Sequence, residues 1–408
     1  MNVDIGFDEA QYGFLASVAF TILYSVASLG AGVASDRYNR KTLTIASAMS
    51  WVVATVGTAY SSSYTQVVLW RIAMGLACAF SAPAAYTLIQ QKVPTNRVAL
   101  ASSWYGTAVS LASGLSSLSI LLDQKAGWRT TEELIALFGV VALASAAVLV
   151  PSDDPKDEGT EQASEAEASP SSILDDVKES ISIPRTQWIF LGSMFRFCSG
   201  LCIGVWSAPF YRMTFAESQS QYALYQAAIS VVGATASNLA GGAAADWLSS
   251  SDGPVLSTQN ADEVIQPDTA GIKLWVPIIG NLLAAPAWYF AVQTDQSFDR
   301  AMMWLAVEYL VAECWFGATI ASLQSSVPSR IGGTAQGLFT LTGGLANLAP
   351  SALGYLYAAA TEGSSGGSSA ELSGLLASGV GLGYLLSALC WAMAVRAGPP
   401  QIAKDKGA

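Results

Sequence analysis

The chain has 408 residues, 52% of them apolar and 12% charged, with 19 Lys and Arg, 30 Asp and Glu, and no histidine. An ordinary soluble domain carries about 25% charged residues, so this composition argues against a soluble fold. The missing histidine removes histidine catalysis, histidine proton relays and the commonest metal ligand. The net charge of −11 says nothing about an acidic partner, because ten acids stand against two lysines between Asp153 and Glu179.

From the N-terminus onward, uncharged apolar runs follow one another. A helix needs about 20 mostly apolar residues to cross the hydrocarbon core, whereas a barrel would show alternating segments of about 10. The predicted fold is therefore an all-α polytopic membrane protein. Its eleven spans are expected near 11–34, 42–60, 66–90, 98–121, 131–150, 187–209, 220–246, 274–293, 299–325, 331–358 and 374–395. The N-terminus carries Asp4, Asp8 and Glu9 and lacks the basic start of a cleavable signal. Between the first two spans lies Gly32-Val-Ala-Ser-Asp36-Arg37-Tyr-Asn-Arg40-Lys41, which packs four charges into six residues. The third span holds Arg71, Cys78 and Tyr86, and ends in Val93-Pro-Thr-Asn-Arg97. The acidic stretch Asp153–Glu179 reads as a disordered linker. Arg196 and Trp206 lie in the sixth span, and Glu308, Glu313 and Trp315 in the ninth. Gly363–Ser369 is expected to be a flexible loop and not a phosphate cradle, since no Gly-Lys-Ser/Thr follows. Small residues at 241–245 and 332–344 should let helices approach closely. Pro209, Pro286 and Pro350 mark sites of bending. All five cysteines fall inside spans and read as small buried apolar residues rather than a disulfide framework.

Lys and Arg accumulate in cytoplasmic loops. Placing the Asp36–Lys41 loop inside puts thirteen basic residues on that side and four outside, with two within spans. The C-terminus is then cytoplasmic. The loop also has an echo: Gly32-Val-Ala-Ser-Asp36 recurs as Gly242-Ala-Ala-Ala-Asp246, and Val93-Pro-Thr-Asn-Arg97 recurs as Val327-Pro-Ser-Arg330. Two signposts in the same order mean two homologous halves, and parallel internal repeats are a transporter architecture. The expected organisation is a helical bundle of five spans over 1–150, an acidic cytoplasmic linker over 151–185, a six-helix bundle over 186–396 and a cytoplasmic tail over 397–408.

These residues carry a resemblance. Gly32, Asp36, Arg37, Arg40 and Lys41 resemble the signature loop of the major facilitator superfamily, with Gly242 and Asp246 as its weaker copy. Arg71-Ile-Ala-Met-Gly75 and Gly127-Trp-Arg129 resemble further family motifs. DRYNRK, Thr87-Leu-Ile89, Trp206, Glu308, Trp315 and Pro328 are similar to the Spinster branch, although Cys78 stands where that branch carries a Glu. The resemblance implies a two-bundle fold of twelve helices. Only one span precedes Asp36, while two spans of its half precede Asp246, so the first helix is expected to be missing from this sequence.

The resemblance also implies a role for each site. Asp36 would sit at the start of the helix beginning at Ile331–Gly333, as a cytoplasmic gate braced by Arg37, Arg40 and Lys41. Arg71, Tyr86, Arg196, Trp206, Glu308, Glu313 and Trp315 are the candidate substrate or coupling residues. Charged side chains inside the membrane are functional candidates by default, and a buried carboxylate suits proton coupling. Glu308 and Glu313 stand five residues apart, about 140° around a helix, and are not expected to share a face. The function expected is secondary transport of a small organic or lipid-like solute by rocker-switch alternating access. A proton is the candidate coupling ion. The alternative is a receptor or scaffold that has lost transport. No enzymatic activity, cofactor, metal or nucleic-acid partner is expected.

Overall fold

A computed structural model of the chain describes residues 1–6, 11, 15, 19–150, 173–250, 268–361 and 369–399. The loop expected at Gly363–Ser369 lies outside these residues except for Ser369, as does the linker before residue 173. Every element of regular structure among the described residues is a helix. The α-helices of five residues or more are, in chain order, α1 (Ala19–Arg37), α2 (Arg40–Ala59), α3 (Tyr64–Cys78), α4 (Ser81–Lys92), α5 (Val98–Ala126), α6 (Trp128–Leu149), α7 (Ile173–Ser182) and α8 (Pro184–Thr214). There follow α9 (Gln219–Ala228), α10 (Ala234–Ser249), α11 (Thr269–Lys273), α12 (Trp275–Ala291), α13 (Phe298–Ala312), α14 (Trp315–Ser325), α15 (Gly332–Ala346), α16 (Leu348–Thr361) and α17 (Ser369–Arg396). Taken singly or as consecutive pairs, they match the eleven predicted spans, the first of them from Ala19 onward because most of residues 11–18 lie outside the described ones. Eight of the described helical stretches are long and apolar enough to cross a membrane.

Local chemistry sets the boundaries. Asn39 caps α2 by accepting from the Thr42 backbone N–H at 3.0 Å, and Asp268 caps α11 through Gly271 N–H at 3.1 Å. Such caps satisfy donors that a helix start leaves unpaired. Two rods are interrupted at equivalent places. The break at Ala79 falls fifteen residues before Pro94, and that at Glu313 falls fifteen residues before Pro328. The internal repeat thus extends to the irregularities.

The chain forms two compact units interleaved along the sequence: Met1–Lys92, Leu115–Ser180 and Pro328–Gly344 in the first, and Val93–Gly114, Ile181–Val327 and Leu345–Ala408 in the second. In the first, α2 packs on α3 and α6. In the second, α8 packs along α17, and α12 lies against both α13 and α17. Its core is built around Phe210, Tyr211, Trp288, Leu305 and Tyr384, all buried. Small residues bring backbones together within each unit. A Cβ on Gly32 would collide with the Gly333 carbonyl, one on Gly337 with the Ser28 carbonyl, and one on Gly241 with Cys314. The five cysteines are free, with Cys202 and Cys390 buried and the others half-buried.

Residues 173–182 correct the expectation of disorder. They form α7, whose Asp176 is 5% exposed. Arg37 reaches this carboxylate at 3.1 Å and Arg330 at 3.4 Å, while Arg330 also pairs with Glu179. Asp176 and Glu179 are three residues apart and so share one face of the helix. Composition marks this segment as unable to fold by itself. The arginine partners that order it come from distant parts of the first unit.

Candidate functional site

Two sites emerge, one in each compact unit, with a further copy of the first in the second unit. The first is the end of α1. Asp36 accepts from the backbone N–H of Gly333 at 2.6 Å and of Thr334 at 2.8 Å, and from the Thr334 hydroxyl at 2.8 Å. These N–H groups belong to the first turn of α15, where donors are unpaired and the helix dipole favours a carboxylate. The bare face of Gly32 lets α1 come close enough for these bonds. Arg37 turns to Asp176. Arg40 is buried and donates to Gln91 at 2.6 Å, and Lys41 is half-buried.

The copy in the second unit has the same register. Asp246 accepts from Ala99 N–H at 3.1 Å and Leu100 N–H at 2.8 Å, in the first turn of α5. Ala99 lies five residues after Pro94, as Gly333 does after Pro328. Gly242 faces the Ala99 carbonyl as Gly32 faces that of Gly333. The copy adds a buried cation: Lys273 lies 3.1 Å from Asp246 and donates to the Thr95 carbonyl at 3.2 Å.

The other site lies wholly in the second unit, where α8 meets the break between α13 and α14. Arg196 is 2% exposed. Its Nη2 donates to the Ala312 carbonyl at 3.1 Å and to Glu313 at 2.9 Å. Ala312 is the last residue of α13, and carbonyls at a helix end need outside donors. The guanidinium carbon sits 5.3 Å from the Trp315 ring and 5.1 Å from that of Tyr384. The Tyr384 hydroxyl donates to Glu308, which is 1% exposed. The second Glu308 oxygen is buried with no hydrogen-bond partner among the described residues. Both carboxylates act electrostatically on Arg196.

This cluster borders a cavity of about 270 Å³. Arg196, Glu313, Asn238, Phe197, Trp315 and Phe316 are on its wall. Glu313 is the more open member of the ion pair, at 32% exposure against 2% for Arg196. Asn238 donates to the Ser103 carbonyl at 3.4 Å, and its own carbonyl oxygen is buried without a partner among the described residues.

Of the seven candidate cavity residues, Arg196, Glu308, Glu313 and Trp315 are gathered here. Glu308 and Glu313 indeed face differently: Glu313 reaches the wall, while Glu308 lies behind it on Tyr384. Trp206 is not on this wall; it donates to the Pro350 carbonyl at 2.9 Å and meets Tyr357 edge-on. Arg71 and Tyr86 belong to the first unit. Arg71 is half-buried within electrostatic reach of Glu132, and Tyr86 is 3% exposed. Sequence reasoning missed Tyr384 and Asn238, which carry no motif. It also missed the breaks at Ala79 and Glu313, neither of which falls on a proline or glycine.

A bundle of long apolar helices with two copies of one helix-end motif, and with buried charges beside a cavity, defines a polytopic membrane protein of transporter type. The sequence matches the Major Facilitator Superfamily over residues 1–351, and the chain belongs to that superfamily. It is 26% identical over 211 residues to the uncharacterised MFS-type transporter YceJ of Bacillus subtilis, covering 50% of this chain and 51% of that protein. It is 30% identical over 152 residues to the 4-hydroxybenzoate transporter PcaK of Pseudomonas aeruginosa, covering 37% and 33%. The match thus spans about half the length of the first relative and a third of the second. Among solved structures, the human organic anion transporter MFSD10 superposes with a TM-score of 0.66 at 17% identity, over 96% of this chain and 87% of that one. A bacterial homologue of Spinster in an inward-facing, unoccupied conformation gives 0.51 at 18%, over 96% and 89%. At these identities the likeness is one of fold.

Proposed function

We propose that the chain is a secondary active transporter that moves a small organic solute by rocker-switch alternating access, coupled to protons. The observation that carries this reading is the Arg196–Glu313 pair on the wall of a cavity, with Glu308 and Tyr384 behind it. Burying three ionisable groups in an apolar bundle is costly, and such groups within a membrane mark solute or proton paths. The Asp36 and Asp246 contacts act as latches that hold one face shut. The distribution of basic residues assigns that face, and the C-terminus, to the cytoplasm.

The test uses the full chain in proteoliposomes containing a pH-sensitive dye, challenged with a panel of compact organic solutes. At least one solute is expected to evoke proton movement, and Glu313→Gln to abolish it. Absence of solute-evoked proton movement across the panel, or an unchanged response in Glu313→Gln, would overturn the proposal.

A further inference from the structure

We infer that the cavity takes a flat organic cation, exchanged against a proton held on Glu308. The inference rests on the transport reading above and specifies its substrate. It follows from counting charges around Arg196. This one guanidinium serves two carboxylates, Glu313 directly and Glu308 through Tyr384. The remaining titratable groups acting with Glu308 are Tyr211 of α8, Tyr309 of its own helix and Tyr384 of α17. None of these brings a positive charge. One cation cannot neutralise both carboxylates, and an unmatched charge on the sealed Glu308 is strongly disfavoured. The cluster therefore requires one further positive charge, which is either a proton on Glu308 or a cation from outside.

The geometry points to where an outside cation would bind. Glu308 is sealed, whereas Glu313 is partly open to the cavity. Phe197, Trp315 and Phe316 form an aromatic corner beside it, with ring centroids of successive pairs 5.0 Å and 5.2 Å apart. Aromatic faces attract cations. Asn238 supplies a buried carbonyl oxygen without a partner among the described residues, on the same wall. Carboxylate, amide oxygen and ring faces all suit a protonated amine on a flat apolar body. An anion finds the opposite. To reach Arg196 it would have to displace Glu313 from a guanidinium already engaged with Ala312 and lying against two rings, and would leave that carboxylate unpaired.

The two positive charges then exclude each other. With Glu308 protonated, Arg196 is committed to Glu313 and the wall is neutral. When Glu308 releases its proton to water, its charge draws on Arg196 from behind, and Glu313 becomes free to hold the cation. Binding a cation thus expels a proton, and the return of the proton expels the cation.

Tryptamine and indole-3-propionate share a ring and differ in the sign of the side-chain charge. Their binding to the detergent-solubilised full chain is measured by calorimetry, with proton release read by dye. Tryptamine is expected to bind at least about tenfold more tightly than indole-3-propionate, to release about one proton, and to weaken by about tenfold per pH unit once Glu308 is protonated. Glu308→Gln should flatten that pH profile. The wild-type profile alone decides the matter if this variant fails to fold. Preferential binding of indole-3-propionate, or tryptamine binding without proton release, would overturn the inference. So would failure of both probes while other solutes still drive proton movement in liposomes, which leaves the transport reading standing. Failure of both probes together with absence of any solute-evoked proton movement would remove both.

Discussion

Arg196→Met is expected to abolish transport and to destabilise the chain by about 3–5 kcal/mol, the usual cost of removing one partner from a buried ion pair. The reason is the number of groups that depend on one guanidinium. Glu313 loses its cation and Ala312 loses the donor that serves its carbonyl. Glu308, already short of one hydrogen-bond partner among the described residues, loses the positive charge beside its tyrosine. Arg196→Lys should keep part of the stability but little of the transport. An ammonium is a compact point charge, without the planar face that lies against two rings. Arg196→Met combined with Glu313→Gln should be more stable than Arg196→Met alone, because the stranded wall carboxylate is gone, yet remain inactive. Thermal melting in detergent and solute uptake in liposomes separate these effects. A single Arg196→Met variant as stable as the parent would show that the cluster is not buried in this way.

The second large effect concerns the two aspartate contacts proposed as latches, which share a geometry and differ in surroundings. Asp36→Ala removes the acceptor for three donors at the start of α15. It should shift the balance from latched to unlatched by about 2 kcal/mol, which is about thirtyfold. Asp36→Asn keeps the shape but turns an amide donor towards backbone N–H groups, and should act in the same direction. Asp246→Ala should cost more, about 3–5 kcal/mol, because it also strands Lys273, which is 3% exposed. Amide hydrogen exchange around Gly333 and Thr334 reads the first latch, and exchange around Ala99 and Leu100 reads the second. Faster exchange confined to the matching helix start is the expected pattern. Equal effects of the two substitutions would contradict the role assigned to Lys273.

Much of this fold is legible in the sequence because the bilayer leaves few options. Runs without charge must be helices, and the two prolines at 94 and 328 fix the register of the repeat. The glycine and aspartate of each latch are legible for the same reason, since a small residue and a carboxylate one turn apart recur at the end of equivalent spans. Arg196, Glu308 and Glu313 stand out as charges among apolar neighbours. Tyr384 and Asn238 do not, because a tyrosine or an asparagine in a span is unremarkable until the groups opposite it are known. The partner of Trp206 is hidden for the matching reason: nothing near it in sequence points to the Pro350 carbonyl that its indole N–H reaches. The helix at Ile173–Ser182 was hidden because its order comes from Arg37 and Arg330, which lie far away in sequence. Composition reports what a segment can do alone, and this segment is not alone.

Alternating access requires that the cavity beside Arg196 and Glu313 open in turn to the two faces of the membrane. Val109, exposed on the wall of that cavity, offers the most direct reading. Val109→Cys in oriented proteoliposomes is treated with a membrane-impermeant thiol reagent from either face, with the parent chain as the control for its own cysteines. Labelling from both faces is expected, with Asp36→Ala shifting the ratio towards the face that carries Asp36. Labelling from one face only, unmoved by Asp36→Ala, would contradict alternating access.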